Sequence, residues 1–554
     1  MNKKILTWAF AIGVPLFYLV YYTPYGMDTT DFGYFYAYAW RILQGQAPYR
    51  DFFYIKPAFP LYWHAFWLWL TPHEWQILAG KAGFCVTLLT AAWLGAFYLR
   101  NTFKLDRLDI SLPLLATCGF VFGIHGFPHM PWHTADGVLF CSASLFATLY
   151  NPALSGVFCG IAMLCKQSFA LLPLAIIFFL FYWRTGRQIA WFIAGCMIVI
   201  ATWTGWLIAN NAWQDFRSMT TGQLDIGEAI DAGILIYLRQ NWLIPSIALL
   251  PWLGFKLFRK RLYWPLQPGY CYLACLAFWY LHEVFTKKIW IGYGASWPTL
   301  WLSLGAVEIV FAGFFLKPYI SHARPSYLAA GSALLAPILA AWSVAISGGY
   351  KIPAMFAVPL VFAFLAMHSR FFGQTAKLLW ATLITGLIIF WAGYQYPYVF
   401  PERPLKRSDL VFDAGEIYPQ AHGVKVDKDM YERLAELKEL VAKYGPNYKT
   451  LPGFSFAYYL NGDQPVIGSD WLIDWEINGQ TNELYRQLCD NNVIVFMERD
   501  QLDTEQADGY DRAGYTVPQR VRHHWQIIGE TPHFVIFRRS ADCLKIEQTN
   551  PGLY

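Results

Sequence analysis

Residues 27–63 read MDTTDFGYFYAYAWRILQGQAPYRDFFYIKPAFPLYW and follow the first hydrophobic segment of the chain. Two aspartates, Asp28 and Asp31, open this stretch, and a Lys-Pro pair, Lys56-Pro57, lies near its end. Many aromatic rings stand between the carboxylates and the ammonium group. Because ionisable side chains are expensive to place in hydrocarbon, this pattern predicts a loop outside the bilayer.

The composition is that of a membrane protein. Of the 554 residues, 56% are hydrophobic and 14% are charged, whereas a soluble domain carries about 25% charged residues. The apolar runs are long and continuous, which favours membrane-spanning helices over an alternating barrel pattern. No basic run is long enough to predict a nucleic-acid partner. We therefore expect an α-helical polytopic membrane protein with the bilayer as its surroundings.

The apolar segments predict about thirteen membrane spans. They lie near residues 5–22, 75–98, 110–126, 136–150, 152–166, 168–183, 189–209, 241–258, 265–283, 296–316, 326–346, 353–369 and 376–395. Alternate connections are rich in Lys and Arg, which predicts a cytoplasmic N-terminus and an extracytoplasmic C-terminal region. The first span follows MNKK and has no small-residue cleavage site, so we interpret it as a retained signal anchor.

The chain divides into two predicted domains. Residues 1–395 form the membrane domain, whose first outer loop covers 23–74, and residues 396–554 form a soluble α/β domain. In the second domain DMYERLAELKELVAKY (429–444) has helical periodicity, and VIVFMERD and HFVIFRR are typical of short strands. Cys489 and Cys543 also lie there, and a disulfide between them is possible if this domain is extracytoplasmic.

The first outer loop predicts two helices that lie at the membrane surface. The first covers 31–44 and ends at Gly45, and the second follows in AFPLYWHAFWLWL. Two aromatic or apolar faces of the first helix are predicted to contact the interface: Phe32, Tyr36 and Trp40 on one, and Phe35, Ala39 and Ile42 on the next. The carboxylates at its N-terminus suit the helix dipole.

Other polar residues gather on the predicted outer face. They include Tyr54, His133, Asp136, Lys166, Gln167, Arg239 and Lys287. Several candidates have an ordinary structural alternative: Asp31 as a helix N-cap, Lys56 as a snorkelling lysine, the histidines as interfacial or core residues, Asp136 as a helix-start carboxylate, and Lys287 as part of a solvated loop pair. The spacing of His125, His129 and His133 would suit zinc on a helix, but two prolines interrupt that helix, so no metal site is predicted.

The order of motifs in the first loop resembles the GT-C superfamily of polytopic glycosyltransferases. The similarity is to the bacterial branch related to protein mannosyltransferases and the aminoarabinose transferase of lipid A. Asp31 matches the family's acidic position, with Asp28 beside it, and Lys56-Pro57 matches its Lys-Pro element. HTADGVLF is similar to a second acidic motif, and AMLCKQSFALLP to a lysine-containing turn. The chain departs from the pattern at Ile55, where a carboxylate is expected, and at Ala58, where a second proline is expected.

This resemblance implies sugar transfer from a polyprenyl-phosphate donor to a glycan, glycolipid or protein acceptor outside the cytoplasm, at a bacterial inner membrane. Asp31, or its neighbour Asp28, would be the base. In the chemistry that the resemblance implies, Lys56 and Lys166, with Arg239 or Lys287, bind the donor phosphate. Among the other polar groups of the outer face, we expect Tyr54, His133, Asp136 and Gln167 to bind substrate. No cofactor is implied with certainty, and a divalent metal stays open.

Two other functions are compatible with a membrane protein of this composition. A transporter or flippase for a lipid-linked glycan would use the polar cluster as a translocation path, and a non-catalytic assembly subunit would use it as an anchor. A transporter of the inverted-repeat kind should show interrupted helices in two similar halves. The sequence shows no such symmetry.

Overall fold

A computed structural model describes residues 3–102, 111–124, 129–221, 393–395, 397–400, 403–477, 479–499 and 514–540, with Cys543 and a few residues between 332 and 343. The spans predicted between 241 and 369 therefore lie almost wholly outside the described residues, as does most of the span predicted at 376–395. Arg239, Lys287 and His125 lie outside them as well.

Helices occupy each of the first seven predicted spans. The N-terminal part consists of α1 (Lys3–Tyr21), α2 (Asp31–Leu43), α3 (Phe59–Leu70), α4 (Gln76–Thr102), α5 (Leu112–Ile124), α6 (His133–Thr148), α7 (Pro152–Met163), α8 (Leu172–Trp183), α9 (Gly186–Ala209) and α10 (Trp213–Thr221). Short 3-10 helices precede α4, at His73–Trp75, and α8, at Gln167–Leu171. The two predicted helices of the first loop are confirmed as α2 and α3, whereas α10 was not predicted.

Three described helices are long and apolar enough to cross a bilayer. They are Lys4–Tyr21, His73–Thr102 and Gly186–Ala209. The apolar helices Leu112–Val121, Pro152–Met163 and Gln167–Trp183 are shorter. A helix rises about 1.5 Å per residue, so a segment of about 20 residues is needed for the hydrocarbon core. The helical prediction thus holds at these positions, and the number of spans stays a prediction.

The C-terminal region is mixed α/β, as its sequence predicts. Its helices are α11 (Lys428–Tyr444), α12 (Ala457–Asn461), α13 (Asp474–Ile477), α14 (Thr481–Asp490) and α15 (Thr516–His524). Its strands are β1 (Tyr398–Phe400), β2 (Arg403–Leu405), β3 (Phe412–Asp413), β4 (Lys425–Val426), β5 (Tyr448–Leu451), β6 (Ile494–Glu498), β7 (Gln526–Glu530) and β8 (Phe534–Arg538). The helix predicted at 429–444 and the two predicted strands correspond to α11, β6 and β8.

A four-stranded sheet forms the centre of this region. Its strand order is β5-β6-β8-β7, with β5 parallel to β6 and the other pairs antiparallel. Strand β6 is buried on both faces apart from its first residue, as expected of an apolar central strand. Cys489, at the end of α14, forms a disulfide with Cys543, so the pairing that the sequence allowed is confirmed.

Backbone hydrogen bonds attach the first loop to the C-terminal region. They run from Lys425 N to Pro24 O (2.7 Å), from Gly26 N to Lys425 O (2.8 Å), from Ser455 N to Thr29 O (3.0 Å) and from Phe53 N to Gly468 O (2.8 Å). A buried main-chain donor needs an acceptor, and here the partners come from sequence positions some 400 residues apart. The two parts are therefore joined through the loop that carries the candidate site.

The surroundings of α2 correct the prediction that this helix lies flat on the membrane. Its Phe32 and Tyr36 rings contact Phe456, and Tyr36 and Trp40 contact Tyr459 of α12. The predicted interfacial face is thus covered by protein. Aromatic side chains satisfy a buried protein contact as well as a membrane interface, so the periodicity could not distinguish the two.

Candidate functional site

Asp28 and Asp31 have different environments. The Asp28 carboxylate accepts hydrogen bonds from the backbone N and the hydroxyl of Thr30, at 2.7 and 2.8 Å, and is buried. Thr30 occupies the N-cap position of α2, and Asp31 is the first helical residue. The alternative that Asp31 is a plain N-cap is therefore wrong. Asp28 instead holds the turn that enters the helix.

The Asp31 carboxylate is half-buried and makes no hydrogen bond or salt bridge within the described part of the chain. Burial, together with repulsion from Asp28 and Glu476, raises the pKa of Asp31 to about 7, and Lys56 acts in the opposite direction. Burial also raises the pKa of Asp28, against the hydrogen bonds that its carboxylate accepts. Loss of hydration disfavours a carboxylate, and a like charge nearby disfavours it further.

Lys56 forms a salt bridge with a carboxylate from the C-terminal region. Its Nζ lies 2.7 and 2.8 Å from the two carboxylate oxygens of Glu476 in α13. The Tyr34 hydroxyl donates to Glu476 Oε2 at 3.1 Å, and Nζ lies 5.6 Å from the centre of the Tyr34 ring. The alternative of a lipid-facing, snorkelling lysine is therefore wrong, because protein groups surround the ammonium.

Hydrogen bonds from side chains hold the backbone carbonyls of Ile55 and Lys56. The Tyr49 hydroxyl donates to the carbonyl of Lys56 at 2.7 Å, and the Gln167 amide donates to the carbonyl of Ile55 at 2.5 Å. Gln167 belongs to the segment that joins α7 to α8. The predicted Lys-Pro element and the predicted Lys-Gln turn are thus brought together, although they are far apart in sequence.

Lys166 adds a second buried ammonium group at this place. Its Nζ donates to the carbonyl of Ser343 at 2.9 Å. Lys56 and Glu476 both lie close enough to act on its charge. The two ammonium groups, Lys56 and Lys166, can both donate hydrogen bonds to an incoming anion such as a phosphate.

A phenol and an imidazole beside these groups are buried and have no hydrogen-bond partner among the described residues. They are Tyr54, through its hydroxyl, and His133, through both ring nitrogens. The His133 ring stacks on Phe35 with 5.3 Å between centroids, and Lys56 and Lys166 act on its charge. A buried polar atom without a partner is unfavourable, so these atoms are suited to contact a polar ligand.

The Asp136 carboxylate is paired with a histidine that the sequence did not indicate. His64 of α3 lies with Nε2 2.8 Å from Asp136 Oδ2, and both residues are buried. The pair joins α3 to α6 and stands one helical turn from His133. Asp136 therefore lies next to the candidate site but is held in a pair inside the protein.

A third face of α2 holds the C-terminal region in place. Tyr34, Tyr38 and Arg41 follow one another at helical spacing, and they contact residues 467–476, here called the docking segment. Tyr38 bonds Ser469 at 3.2 Å, and the Tyr34 ring contacts Trp471. Arg41 donates to Asp470 and to the carbonyl of Ile467. These contacts position the docking segment, whose last residue is Glu476.

No motif or spacing in the sequence indicates Glu476, His64 or Tyr34 as a site residue. Glu476 lies in WLIDWEIN, a mixed stretch without recognisable spacing, and it reaches Lys56 across 420 positions. His64 lies on an apolar helix, where a histidine is usually a core residue. Only the fold brings these side chains to the site.

Within the described ranges, no group of three or more His, Cys, Asp or Glu side chains is arranged to hold a metal ion. The paired and unpaired groups at the site are suited to proton transfer and to binding an anion.

No protein-family model matches the chain, and no curated protein matches it. Among solved structures, the crystal structure of ArnT from Cupriavidus metallidurans bound to undecaprenyl phosphate is similar with a TM-score of 0.45 and 12% identity. The match covers 97% of this chain and 98% of that chain. A likeness of this size does not establish a common fold.

Proposed function

We propose that this protein is an integral-membrane glycosyltransferase that moves a sugar from a polyprenyl-phosphate donor to an extracytoplasmic acceptor. The acceptor would be lipopolysaccharide, another envelope glycan or a protein. The observation that carries the proposal is the position of the Asp31 carboxylate, which has no hydrogen-bond partner among the described residues and lies close enough to Lys56 for the two charges to interact. Lys56 in turn lies close enough to Lys166 for their charges to interact. This arrangement combines a base with anion-binding groups.

The reaction needs a proton acceptor and an anion site. Asp31 takes the proton from the acceptor hydroxyl, and the oxygen then attacks the anomeric carbon of the sugar. The bond between this carbon and the phosphate oxygen breaks, and the electron pair leaves with the lipid phosphate. Lys56 and Lys166 stabilise the negative charge of the departing phosphate. Atoms and charges balance without any further reactant.

Asp31 suits the role of base better than Asp28. A general base is most effective when its pKa lies near the working pH, and that of Asp31 is raised to about 7. Asp28 is engaged by Thr30 through one carboxylate oxygen and is buried. We therefore assign the base to Asp31 and the support of the α2 entry turn to Asp28.

The unpaired side chains suit the binding of a sugar. The Tyr54 hydroxyl and the His133 ring can each exchange a hydrogen bond with a sugar hydroxyl, and neither has a partner among the described residues. Gln167 supports the site indirectly, since its amide holds the loop beside Lys56. Arg239 and Lys287 stay proposed phosphate ligands from the sequence resemblance.

We also propose a cellular location for the protein. The apolar helices suit a bacterial inner membrane, and the Cys489–Cys543 disulfide supports an oxidising, periplasmic location for the C-terminal region, since such bonds persist there. The experiment is a comparison of envelope lipids, glycans and proteins by mass spectrometry from bacterial cells with and without the protein. A product heavier by one sugar is expected only when the protein is present, and identical envelopes would contradict the proposal.

A further inference from the structure

We propose that Glu476 is a positioning residue of the candidate site. It holds the Lys56 ammonium and the Tyr34 hydroxyl beside Asp31, so the site is complete only when the C-terminal region is seated on α2. This role rests on the proposed function, because Asp31 and Lys56 are its proposed base and phosphate ligand.

The contacts of Glu476 support a fixed position. Both carboxylate oxygens bond to Lys56 Nζ, at 2.7 and 2.8 Å, and Oε2 also accepts from Tyr34. The side chains of Lys56 and Glu476 are only 16% and 11% exposed. An ion pair with this burial and geometry is weakly screened by solvent, in contrast to a surface pair. It can therefore restrain a long lysine side chain in one place.

The docking segment is held by α2, and this contact places Glu476 at the site. Six residues before Glu476, the Asp470 carboxylate is held by Arg41 and by a longer contact, 3.9 Å, with Lys449. These side chains are at most 1% exposed. Because Arg41 and Tyr34 lie on the same helix, the anchor and the site share one rigid element. Glu476 therefore reaches the site only when the docking segment is bound to α2.

Glu476 also changes the charge around Asp31. The charged groups that act on Asp31 are Asp28 from the preceding turn, Lys56 from the loop before α3, and Glu476 from α13. Lys81 of α4 acts on Asp28 in turn. Of these, Glu476 contributes a negative charge that disfavours the Asp31 carboxylate. Removing that charge should make Asp31 a weaker base, since it will then bind a proton less strongly.

The test follows the protonation of Asp31 without any donor substrate. The full-length protein is treated with a water-soluble carbodiimide and an amine at a series of pH values, and labelling of Asp31 is measured by peptide mass spectrometry. Only the protonated carboxyl reacts, so labelling falls as pH rises. For Glu476→Gln we expect the midpoint to move to lower pH by at least about half a unit.

Two further variants separate charge from shape. Glu476→Asp retains the charge and should keep the midpoint near that of the parent protein. Glu432→Gln removes a carboxylate from α11 that is 49% exposed and pairs with Lys428, and it should leave the midpoint unchanged. Equal midpoints in the parent protein and Glu476→Gln would overturn the proposal.

A folding failure of Glu476→Gln is covered by a second comparison. The single change leaves Lys56 partly buried without its anion, which can destabilise the protein. In that case Lys56→Gln is compared with the double variant Lys56→Gln/Glu476→Gln. A lower Asp31 midpoint in the double variant supports the proposal, and equal midpoints overturn it. If instead the parent protein transfers no sugar while these shifts occur, the proposed function fails and the electrostatic role of Glu476 stands.

Discussion

The guanidinium of Arg41 donates to the carboxylate of Asp470 from Nε at 2.5 Å and from Nη2 at 3.2 Å, and both side chains are buried. The two residues are 429 positions apart. This pair attaches the docking segment to α2, and α2 also carries Asp31 at its first position. The contact therefore links the assembly of the protein to the geometry of the candidate site.

Arg41→Met should destabilise the protein strongly. The change leaves the Asp470 carboxylate buried without its main cation, and breaking a buried pair in this way costs about 3–5 kcal/mol. We expect a lower melting temperature in detergent and faster proteolysis of the C-terminal region. Arg50→Met is the matched control, because Arg50 pairs with Asp51 at the surface, where its side chain is 44% exposed. Equal melting temperatures for the two variants would show that the Arg41 pair does not hold the regions together.

Asp31→Asn should remove sugar transfer while the protein still folds. A positioned general base contributes about 10²- to 10⁴-fold to a rate, and asparagine cannot accept the proton. The measurement is the rate of transfer by purified protein, together with its melting temperature. Full activity in folded Asp31→Asn would refute the assignment of the base.

Asp28→Ala should show the opposite pattern. The hydrogen bonds from Thr30 to Asp28 are lost, and a hydrogen bond to a charged group contributes about 1.5–3 kcal/mol. We expect a lower melting temperature with transfer still measurable. A folded Asp28→Ala protein as inactive as Asp31→Asn would reassign the base to Asp28.

Lys56→Met should weaken the use of the donor more than the use of the acceptor. Loss of a hydrogen bond to a charged group costs about 1.5–3 kcal/mol, so the donor KM should rise by about 10- to 100-fold. The readout is transfer at a series of donor concentrations. Lys428→Met is the control, since this lysine is 74% exposed. An unchanged donor KM in Lys56→Met would contradict its role in binding phosphate.

Transfer should increase as pH rises through about 7. Asp31 works as a base only when ionised, and its pKa is raised to about 7 by burial and by neighbouring carboxylates. The sign for stability is the reverse: a carboxyl with a raised pKa stabilises the folded state most at low pH, and this contribution is lost as pH rises from the unfolded pKa to about 7. A kcat/KM profile that is flat between pH 5 and pH 8 would argue against Asp31 as the base.

Local patterns in the sequence predicted the helices well. The apolar spacing after Asp31 and the positive φ of Gly45 define α2, and the periodicity of 429–444 defines α11. These elements depend on neighbours a few positions away, where backbone and side-chain preferences act directly. Tertiary packing decides what covers each face of a helix. The aromatic periodicity of α2 therefore predicts a contact with the membrane, whereas in the structure α12 covers that face.

The site was predictable only in part, for the same physical reason. Asp31, Lys56, Lys166 and Gln167 stand in recognisable stretches, and the fold brings them together. The partner of Lys56 could not be predicted, because a salt bridge between a loop and a four-residue helix leaves no period or spacing in either segment. The sequence predicts which side chains take part in the reaction, whereas tertiary packing determines which of them form salt bridges or hydrogen bonds.

The most direct test of the central claim is a mass analysis of envelope lipids, glycans and proteins from three bacterial cultures: one without the protein, one with the parent protein and one with Asp31→Asn at equal membrane abundance. We predict a product heavier by one sugar with the parent protein and its absence from the other two cultures. The same product at the same level with Asp31→Asn, or no added sugar with the parent protein, would contradict the account.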